Sequence, residues 1–244
     1  LTGVNIGRFR AEHDPQGRDF LSLLEALEAV PGIERIRISS IEPTTIPDAL
    51  LEYMASSSKL CHFLHVPLQS GDDDVLSAMN RRYTVTEYRT FIEKAVAMIP
   101  DLGLGTDVMV GFPSESDQAF ANTLAVAGDL PFSYLHVFSY SRRPRTAAAR
   151  MKGLVPGRVI KSRREVLAEL SRAKRLTFYQ RYVGQTVTAL FEGHEEGGRW
   201  TGLTANFLRV AVSSPTPLRN HLRRVQITGI MDGLAVGSLK EDCS

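Results

Sequence analysis

The stretch GTDVMVGFPSE, residues 105–115, decides the fold class of this sequence. Its apolar residues end at Gly111, and Ser114 and Asp117 then have the spacing of a capping box at a helix start. A strand that passes through a glycine into a helix is one βα unit. A small residue at Gly111 would also let a ligand approach the backbone closely.

The same order of strand and helix recurs along the first 141 residues. Strands are predicted at 1–3, 35–40, 62–69, 105–112 and 134–140, and helices at 20–30, 46–56, 85–98 and 115–128. Repeated βα units are typical of a parallel sheet, so we expect an incomplete TIM-type βα barrel over residues 1–155. Because the chain opens without methionine on what reads as a strand end, we expect a natural N-terminus upstream and an uncovered sheet edge beside Leu1.

Strand alternation indicates which polar side chains face inward. His65 and Gln69 share one face of their strand, and Asp107 lies on the corresponding face of the next strand. We expect these side chains to converge near the strand ends, where barrel enzymes build their sites. For Gln69 we favour a functional role, whereas His65 fits a hydrogen-bonded core position equally well.

The predicted pattern of secondary structure changes after residue 155. Residues 156–182 are predicted to form a basic connector helix. Residues 183–244 contain short strands separated by turn residues, which predicts a small all-β barrel of the OB type, with strands at 186–192, 199–204, 208–212 and 223–230.

The charge is distributed unevenly along the chain. Residues 142–182 hold 13 Lys and Arg against 2 Asp and Glu, whereas residues 1–141 hold 10 against 19. Such a basic block suits a polyanion, and arginines with aromatics suit unpaired RNA, although a solvated basic loop explains residues 136–146 equally well on charge alone. The expected phosphate contacts are Arg142, Arg143, Arg145, Arg163, Arg164 and Arg172, and the expected stacking residues are Tyr140, Trp200 and Phe207.

Several classes of protein are disfavoured by what the sequence lacks. It has no apolar run of about 20 residues and no signal-peptide pattern, so we expect a cytoplasmic protein without a membrane partner. Cys61 and Cys243 are the only cysteines, which gives neither a disulfide framework nor a CxxC metal site, and we expect no metal site in this chain. Gly103 and Gly105 precede their strand and lack a third glycine, which disfavours a dinucleotide-binding loop.

Six phrases of the sequence, in this order and spacing, resemble the tRNA methylthiotransferase family over nearly the whole chain. They are LTGVNIG (1–7), RISSIEP (37–43), HVPLQSG (65–71), MNRRYT (79–84), TDVMVGFP (106–113) and HVFSYS (136–141). Within the family, LTGVN looks most like the branch that acts on threonylcarbamoyladenosine, and the segment from about residue 182 resembles the TRAM domain. The family usually has glycine where Ser114 stands, and proline or glycine near Ser139 and Arg145.

The resemblance implies an enzyme that adds a methylthio group to C2 of N6-threonylcarbamoyladenosine in the tRNA anticodon stem-loop by radical S-adenosylmethionine (SAM) chemistry. It implies SAM and two [4Fe–4S] clusters, held by an N-terminal domain of the same enzyme and by a three-cysteine loop that precedes these residues. On this basis we expect the chain alone to be inactive, and we assign no catalytic residue. By matching motifs, we assign cofactor binding to Gly3, Asn5, Ser39, Glu42, Gln69, Arg82, Asp107, Gly111 and Glu115.

Two other functions stay open. A tRNA-binding module without enzymatic activity would explain the basic block and would bind RNA but no cofactor. An unrelated TIM-barrel enzyme would not explain the set of six phrases.

Overall fold

A computed structural model of the chain describes residues 1–3, 5–10, 17–194 and 198–240. The first part is a mixed α/β unit, and the second is a small β-barrel reached through one long helix. In chain order, the α/β unit contains α1 (Phe20–Glu28), α2 (Asp48–Ser56), β1 (Phe63–His65), α3 (Asp73–Ala78), α4 (Val85–Met98), β2 (Gly103–Val110), α5 (Asp117–Asp129) and β3 (Tyr134–Ser139). No helix in these ranges is long and apolar enough to cross a membrane.

Strands β1, β2 and β3 form a parallel sheet in that order, as the alternation of strand and helix predicts. Leu64, Leu104 and Val108 are fully buried and belong to the main apolar core beside the helices. Thr106 joins β2 to the chain after β1, because its hydroxyl donates to the Val66 carbonyl at 2.8 Å and accepts from the Leu68 N–H at 3.0 Å. One side of the sheet thus packs against the apolar core, and polar residues can occupy the other side.

Two predicted strands are wrong. Residues 1–3 and 35–40 are extended but form no named strand. Ser39 donates its N–H to the Leu1 carbonyl at 3.0 Å, Cys61 donates to Ile36 at 2.9 Å, and Ile41 donates to His65 at 3.0 Å. These isolated bonds place residues 1–3 beside residues 37–39, and residues 36–41 beside β1 and the residues just before it, but they are too few for a continuous ladder.

The capping residue of α5 also differs from the expectation. Ser116, not Ser114, accepts the Ala119 N–H at 3.0 Å as the helix N-cap. Ser114 has a φ of 70° and Arg145 a φ of 71°, which is the left-handed region that favours glycine. The backbone geometry therefore gives a physical reason for glycine at or near these two positions.

The connector helix α6 (Gly157–Gln180) leads into a closed barrel of five strands. The strands are β4 (Thr186–His194), β5 (Arg199–Thr204), β6 (Arg209–Ser213), β7 (Leu222–Met231) and β8 (Leu234–Leu239), paired in the order β4-β5-β6-β8-β7 with β7 returning to β4. The prediction of a small barrel is confirmed, but it missed β8, which follows β7 after a tight turn at Asp232 and Gly233, both with positive φ.

The barrel contacts the amino ends of the parallel strands. Phe207, at a φ of 71°, stacks on Phe63 with ring centroids 4.4 Å apart. Arg35 and Arg37 each donate a hydrogen bond of 3.0 Å to a barrel carbonyl, that of Leu203 and that of Thr204 respectively. The carboxyl ends of the strands lie at the opposite edge of the sheet from this contact.

Candidate functional site

A polar network lies on the side of the sheet that faces away from the core. Asp107 Oδ1 lies 3.0 Å from His65 Nε2 and 3.7 Å from His136 Nδ1, and His65 Nδ1 lies 3.1 Å from the Tyr134 hydroxyl. The three strands thus each supply a member, as alternation predicts for His65 and Asp107. Burial raises the pKa of Tyr134 to about 12, so the phenol stays protonated at neutral pH.

Gly105 makes this network possible. A Cβ at this position would lie 2.5 Å from the Tyr134 hydroxyl and 2.8 Å from His65 Nδ1. Because no side chain fits there, any substitution of Gly105 would separate Tyr134 from His65. His136 and Tyr134 are network members that the family phrases did not single out as site residues, although alternation within β3 places both on this face.

Gln69 marks the carboxyl end of the chain segment that follows β1. It is 9% exposed, has a φ of 66°, and its backbone pairs with β2 through Asp107 and Met109. A buried residue other than glycine in the left-handed region is uncommon and is often found at functional sites. The position supports the functional interpretation of Gln69.

A second polar cluster surrounds Glu42. Asn5 Nδ2 donates to one carboxylate oxygen at 3.2 Å, and Arg81 donates to the other at 3.3 Å. Arg82, predicted to bind the cofactor, is exposed, and its neighbour Arg81 makes the contact with Glu42. Gly3 has only ordinary contacts near its Cα, so nothing in the structure requires a glycine there.

Two buried polar atoms of residues assigned to cofactor binding or to this cluster have no hydrogen-bond partner among the described residues. Arg81 Nε belongs to a side chain that contacts Glu42, and Ser39 Oγ lies three residues before Glu42 in the chain. A buried polar group without a partner costs free energy, and native proteins usually pair such groups with protein, water or ligand. Arg81 therefore keeps an unused donor at the Glu42 cluster, and Ser39 keeps an unused hydroxyl.

Gly111 and Glu115 have structural roles that the sequence did not reveal. A Cβ on Gly111 would lie 2.5 Å from the Ile160 side chain of α6, so the glycine admits this helix. Glu115 is 5% exposed, accepts the Gly111 N–H at 2.6 Å, and pairs with Arg163 of α6 at 2.7 Å. Both residues hold α6 against the end of β2, which offers a structural explanation instead of direct cofactor contact.

Arg163 does not fit a phosphate contact. It is 5% exposed, and its guanidinium is shared between Glu115 and Asp117. The other predicted basic residues are exposed, and they are Arg142, Arg143, Arg145, Arg164 and Arg172. Arg172 pairs with Glu169 on the same helix, and Arg142 donates to the Ala149 carbonyl.

Of the three predicted stacking residues, none is a freely exposed ring. Phe207 is covered by Phe63 and Tyr134, with the Arg37 guanidinium 4.8 Å from its centroid. Tyr140 packs edge-on against Phe112, and its hydroxyl is buried without a partner. Trp200 is half-buried beside the barrel core.

Comparisons with known proteins identify the family. A model of the radical SAM superfamily matches residues 11–127. The threonylcarbamoyladenosine tRNA methylthiotransferase MtaB of Thermotoga maritima is 34% identical over 86% of this chain and 48% of its own length. The tRNA-2-methylthio-N(6)-dimethylallyladenosine synthase of Neisseria meningitidis is 36% identical over 93% of this chain and 52% of its own length.

The chain belongs to the MiaB/MtaB-like family of tRNA methylthiotransferases. It spans about half the length of both relatives. Coproporphyrinogen III oxidase of Escherichia coli, a radical SAM enzyme of known structure, is 18% identical over 69% of this chain and 38% of its own, with a TM-score of 0.47.

The two cofactors that this family implies fit the described residues differently. The unpaired Arg81 nitrogen beside Glu42 and the unpaired Ser39 hydroxyl suit a polar, zwitterionic ligand such as SAM. A [4Fe–4S] cluster needs three or four ligands, usually thiolates, and the described ranges contain one cysteine, Cys61, which is 2% exposed, and no group of three metal-binding side chains. The described residues of this chain therefore do not provide the ligands for a [4Fe–4S] cluster.

Proposed function

We propose that this chain supplies the SAM-binding edge and the RNA-binding part of a tRNA methylthiotransferase that modifies C2 of N6-threonylcarbamoyladenosine. The observation that carries the proposal is the Glu42 cluster, where Arg81 keeps a buried nitrogen unpaired beside a carboxylate held by Asn5, together with the buried, unpaired hydroxyl of Ser39. This cluster lies in a chain whose curated relatives carry the names of tRNA methylthiotransferases.

In this proposal, Asn5, Ser39, Glu42 and Arg81 hold SAM. Arg82 is exposed and makes no ion pair with a described residue, so it is free to pair with the methionyl carboxylate through its planar fork. When bound, SAM supplies the group that removes a hydrogen from C2 of the adenine. The protein's own task is to orient the cofactor and the base and to exclude water.

The network of Asp107, His65 and Tyr134 has a positioning role in the proposal. A carboxylate only accepts hydrogen bonds, so Asp107 fixes the proton of neutral His65 on Nε2 and leaves Nδ1 to accept the Tyr134 hydroxyl. These bonds hold three neighbouring strands in register on the side of the sheet where Gln69 ends. They preorganise the face against which the cofactor and the base would bind.

For RNA, we propose a surface made by the basic loop and the exposed side of α6. Its members are Arg142, Arg143, Arg145, Arg164 and Arg172, all exposed. In this division, residues 1–155 are a partial radical SAM barrel, 156–182 a basic connector and 183–244 a TRAM-like RNA-binding domain. The partners are the tRNA anticodon stem-loop and an N-terminal domain of the same enzyme that carries the cluster ligands.

The substrate choice rests on the phrase LTGVN at residues 1–5, since the two relatives named above act on different modified adenosines by their names. The test is to delete the gene that encodes this chain and to measure 2-methylthio nucleosides in tRNA by mass spectrometry. We expect loss of the methylthio group from threonylcarbamoyladenosine and its return on complementation. Loss from dimethylallyladenosine instead would contradict the substrate, and no loss from either would contradict the enzyme function.

Complementation with variants tests the site itself. Ser39→Ala and Glu42→Gln should reduce the modified nucleoside and weaken SAM binding, measured by equilibrium dialysis. The matched control is Ser40→Ala, because Ser40 is the exposed neighbour of Ser39. Equal effects of the Ser39 and Ser40 variants would show that the Glu42 cluster does not hold the cofactor.

A further inference from the structure

One feature without an assigned role is a cleft between the sheet and the β-barrel. It has a volume of about 530 Å³ and is walled by the start of β3, the second half of α6 and strands β4 and β5. It opens at the amino ends of the parallel strands, whereas Gln69 and the Glu42 cluster belong to the carboxyl edge. None of the residues proposed for SAM lines it.

Tyr179 places an unused hydrogen-bond donor in this cleft. Its side chain is buried, with 6% of the residue exposed, and its oxygen accepts the Arg209 backbone N–H at 3.3 Å. Within the described ranges, no acceptor lies within hydrogen-bond distance of the hydroxyl hydrogen. Burial raises the pKa of Tyr179, so the hydroxyl keeps its hydrogen at neutral pH.

Two guanidinium groups lie near this hydroxyl. Arg175 and Arg209 both line the cleft, and both are close enough to Tyr179 to lower the pKa of its phenol against the effect of burial. Neither pairs with a carboxylate in the part of the chain that the structure describes. Three donors without an acceptor converge here, which is the arrangement that binds an anion such as phosphate.

The lining also contains aromatic rings and one carboxylate. Tyr134 and Phe207 are stacked with ring centroids 5.8 Å apart, and the Arg175 guanidinium lies 5.9 Å from the Tyr134 centroid. Glu192 is exposed at the wall formed by β4. Rings suit a planar base, and a carboxylate suits the hydroxyls of a ribose.

We propose that this cleft binds a nucleotide, with its phosphate on Tyr179, Arg175 and Arg209 and its base beside Tyr134 and Phe207. The volume lies within the range of roughly 300–1,000 Å³ that is usual for small-molecule sites. The ligand is either a free mononucleotide or one unpaired unit of an RNA chain, since both present the same groups. The site requires no methylthio transfer, so it stands apart from the function proposed above.

The experiment measures binding of three probes to the full-length protein by isothermal titration calorimetry. The probes are AMP, inorganic phosphate and a nine-nucleotide single-stranded RNA. Tyr179→Phe removes only the hydroxyl, and Arg175→Gln removes one charge from the cleft. Arg158→Gln is the matched control, because Arg158 is exposed on the same helix and does not line the cleft.

Each cleft variant should weaken binding of the probe about 10-fold, as expected for the loss of one charge-assisted hydrogen bond, while Arg158→Gln leaves AMP binding unchanged. AMP binding with this pattern identifies a mononucleotide site. If AMP does not bind, but the RNA does and loses more affinity in the cleft variants than in the control, the ligand is a unit of RNA.

Phosphate binding alone, without added affinity from AMP, would overturn the proposal, because the aromatic wall would then contribute nothing. Equal losses in Arg175→Gln and Arg158→Gln would overturn it too, since only overall charge would matter. Thermal unfolding of each variant shows whether it is folded. Tyr179→Phe keeps the ring and therefore tests the hydroxyl in a folded protein.

Discussion

Asp107 Oδ1 lies 3.0 Å from His65 Nε2 across two neighbouring parallel strands, and His65 Nδ1 lies 3.1 Å from the Tyr134 hydroxyl. Both side chains of the first pair are mostly buried, with 19% and 11% exposed. Hydrogen bonds that share one histidine act as a unit, so removal of either end changes the other.

The first prediction concerns this network. Asp107→Asn should lower the free energy of unfolding by about 1–2 kcal/mol, and Tyr134→Phe by about 1 kcal/mol, because each leaves a partner of His65 weaker or absent. In urea denaturation, the double variant should differ from the sum of the single variants by at least ~0.5 kcal/mol. Asp129→Asn is the control, since Asp129 is exposed in an ion pair with Arg89, and should cost under about 1 kcal/mol. Strict additivity would contradict the network.

The sequence placed His65 and Asp107 on this face because side-chain direction in a strand is a local property. His65 and Asp107 alternate with apolar neighbours, and parallel pairing then brings the two polar rows together. The sequence alone could not tell whether Arg81 or Arg82 contacts Glu42. Which of two adjacent arginines turns inward depends on the turn after α3, where Asn80 has a φ of 57°.

The burial of Arg163 shows a second limit. Along α6 it is one arginine among several, and helical periodicity alone assigns it to the basic face. Its partner Glu115 lies 48 residues earlier, and the contact exists only because Gly111 lets Ile160 approach β2. Long-range pairing of this kind is set by packing and leaves no local pattern.

The second prediction follows from this buried pair. Arg163→Ala should lower the free energy of unfolding by about 3–5 kcal/mol, because Glu115 would keep a buried charge without its partner. Arg164→Ala is the matched control, since its exposed neighbour should cost less than about 0.5 kcal/mol. Chemical denaturation measures both. A small loss of unfolding free energy for Arg163→Ala would contradict the buried ion pair and would again favour Arg163 as a phosphate contact.

The third prediction concerns stability at alkaline pH. Burial raises the pKa of Tyr134 and of Tyr83 to about 12, above the ordinary 10.0. The folded state therefore keeps protons that the unfolded state releases. The contribution of these two tyrosines to the free energy of unfolding is complete below pH 10 and is lost as the pH rises through 12. Tyr134→Phe and Tyr83→Phe should each make the decline between pH 10 and 12 shallower, measured by denaturation at each pH. Curves that stay parallel to the parent protein would contradict the assignment.

The fourth prediction tests whether Phe207 joins the two parts of the protein or stacks on RNA. Phe207→Ala should lower the free energy of unfolding by roughly 2–3 kcal/mol, because the ring packs on Phe63 and Tyr134, and should separate the unfolding of the barrel from that of the sheet. The control is Phe138→Ala, whose ring is 43% exposed and should cost less than about 1 kcal/mol. A loss of RNA affinity without loss of stability would favour a stacking role instead.

The last prediction concerns the basic loop, where Arg143 and Arg145 are exposed and form no ion pair with a described residue. Each phosphate that a guanidinium neutralises releases counterions, so the affinity for a tRNA anticodon stem-loop should fall as salt rises. Replacing both arginines by Ala should flatten the log–log slope by about 1.4 to 1.8, at roughly 0.7 to 0.9 per contact. The measurement is fluorescence anisotropy across a series of salt concentrations.

The charge-matched control for this loop is the double variant Arg89→Ala and Lys94→Ala on α4. Both side chains already pair with carboxylates, Asp129 and Asp48 respectively, and they lie in the acidic part of the chain. The control lowers the net charge of the protein by the same amount, so it should weaken binding only slightly and leave the slope unchanged. If both double variants flatten the slope equally, the overall charge attracts the RNA and the loop makes no phosphate contact of its own. If only the loop variant does so, Arg143 and Arg145 touch the phosphates directly.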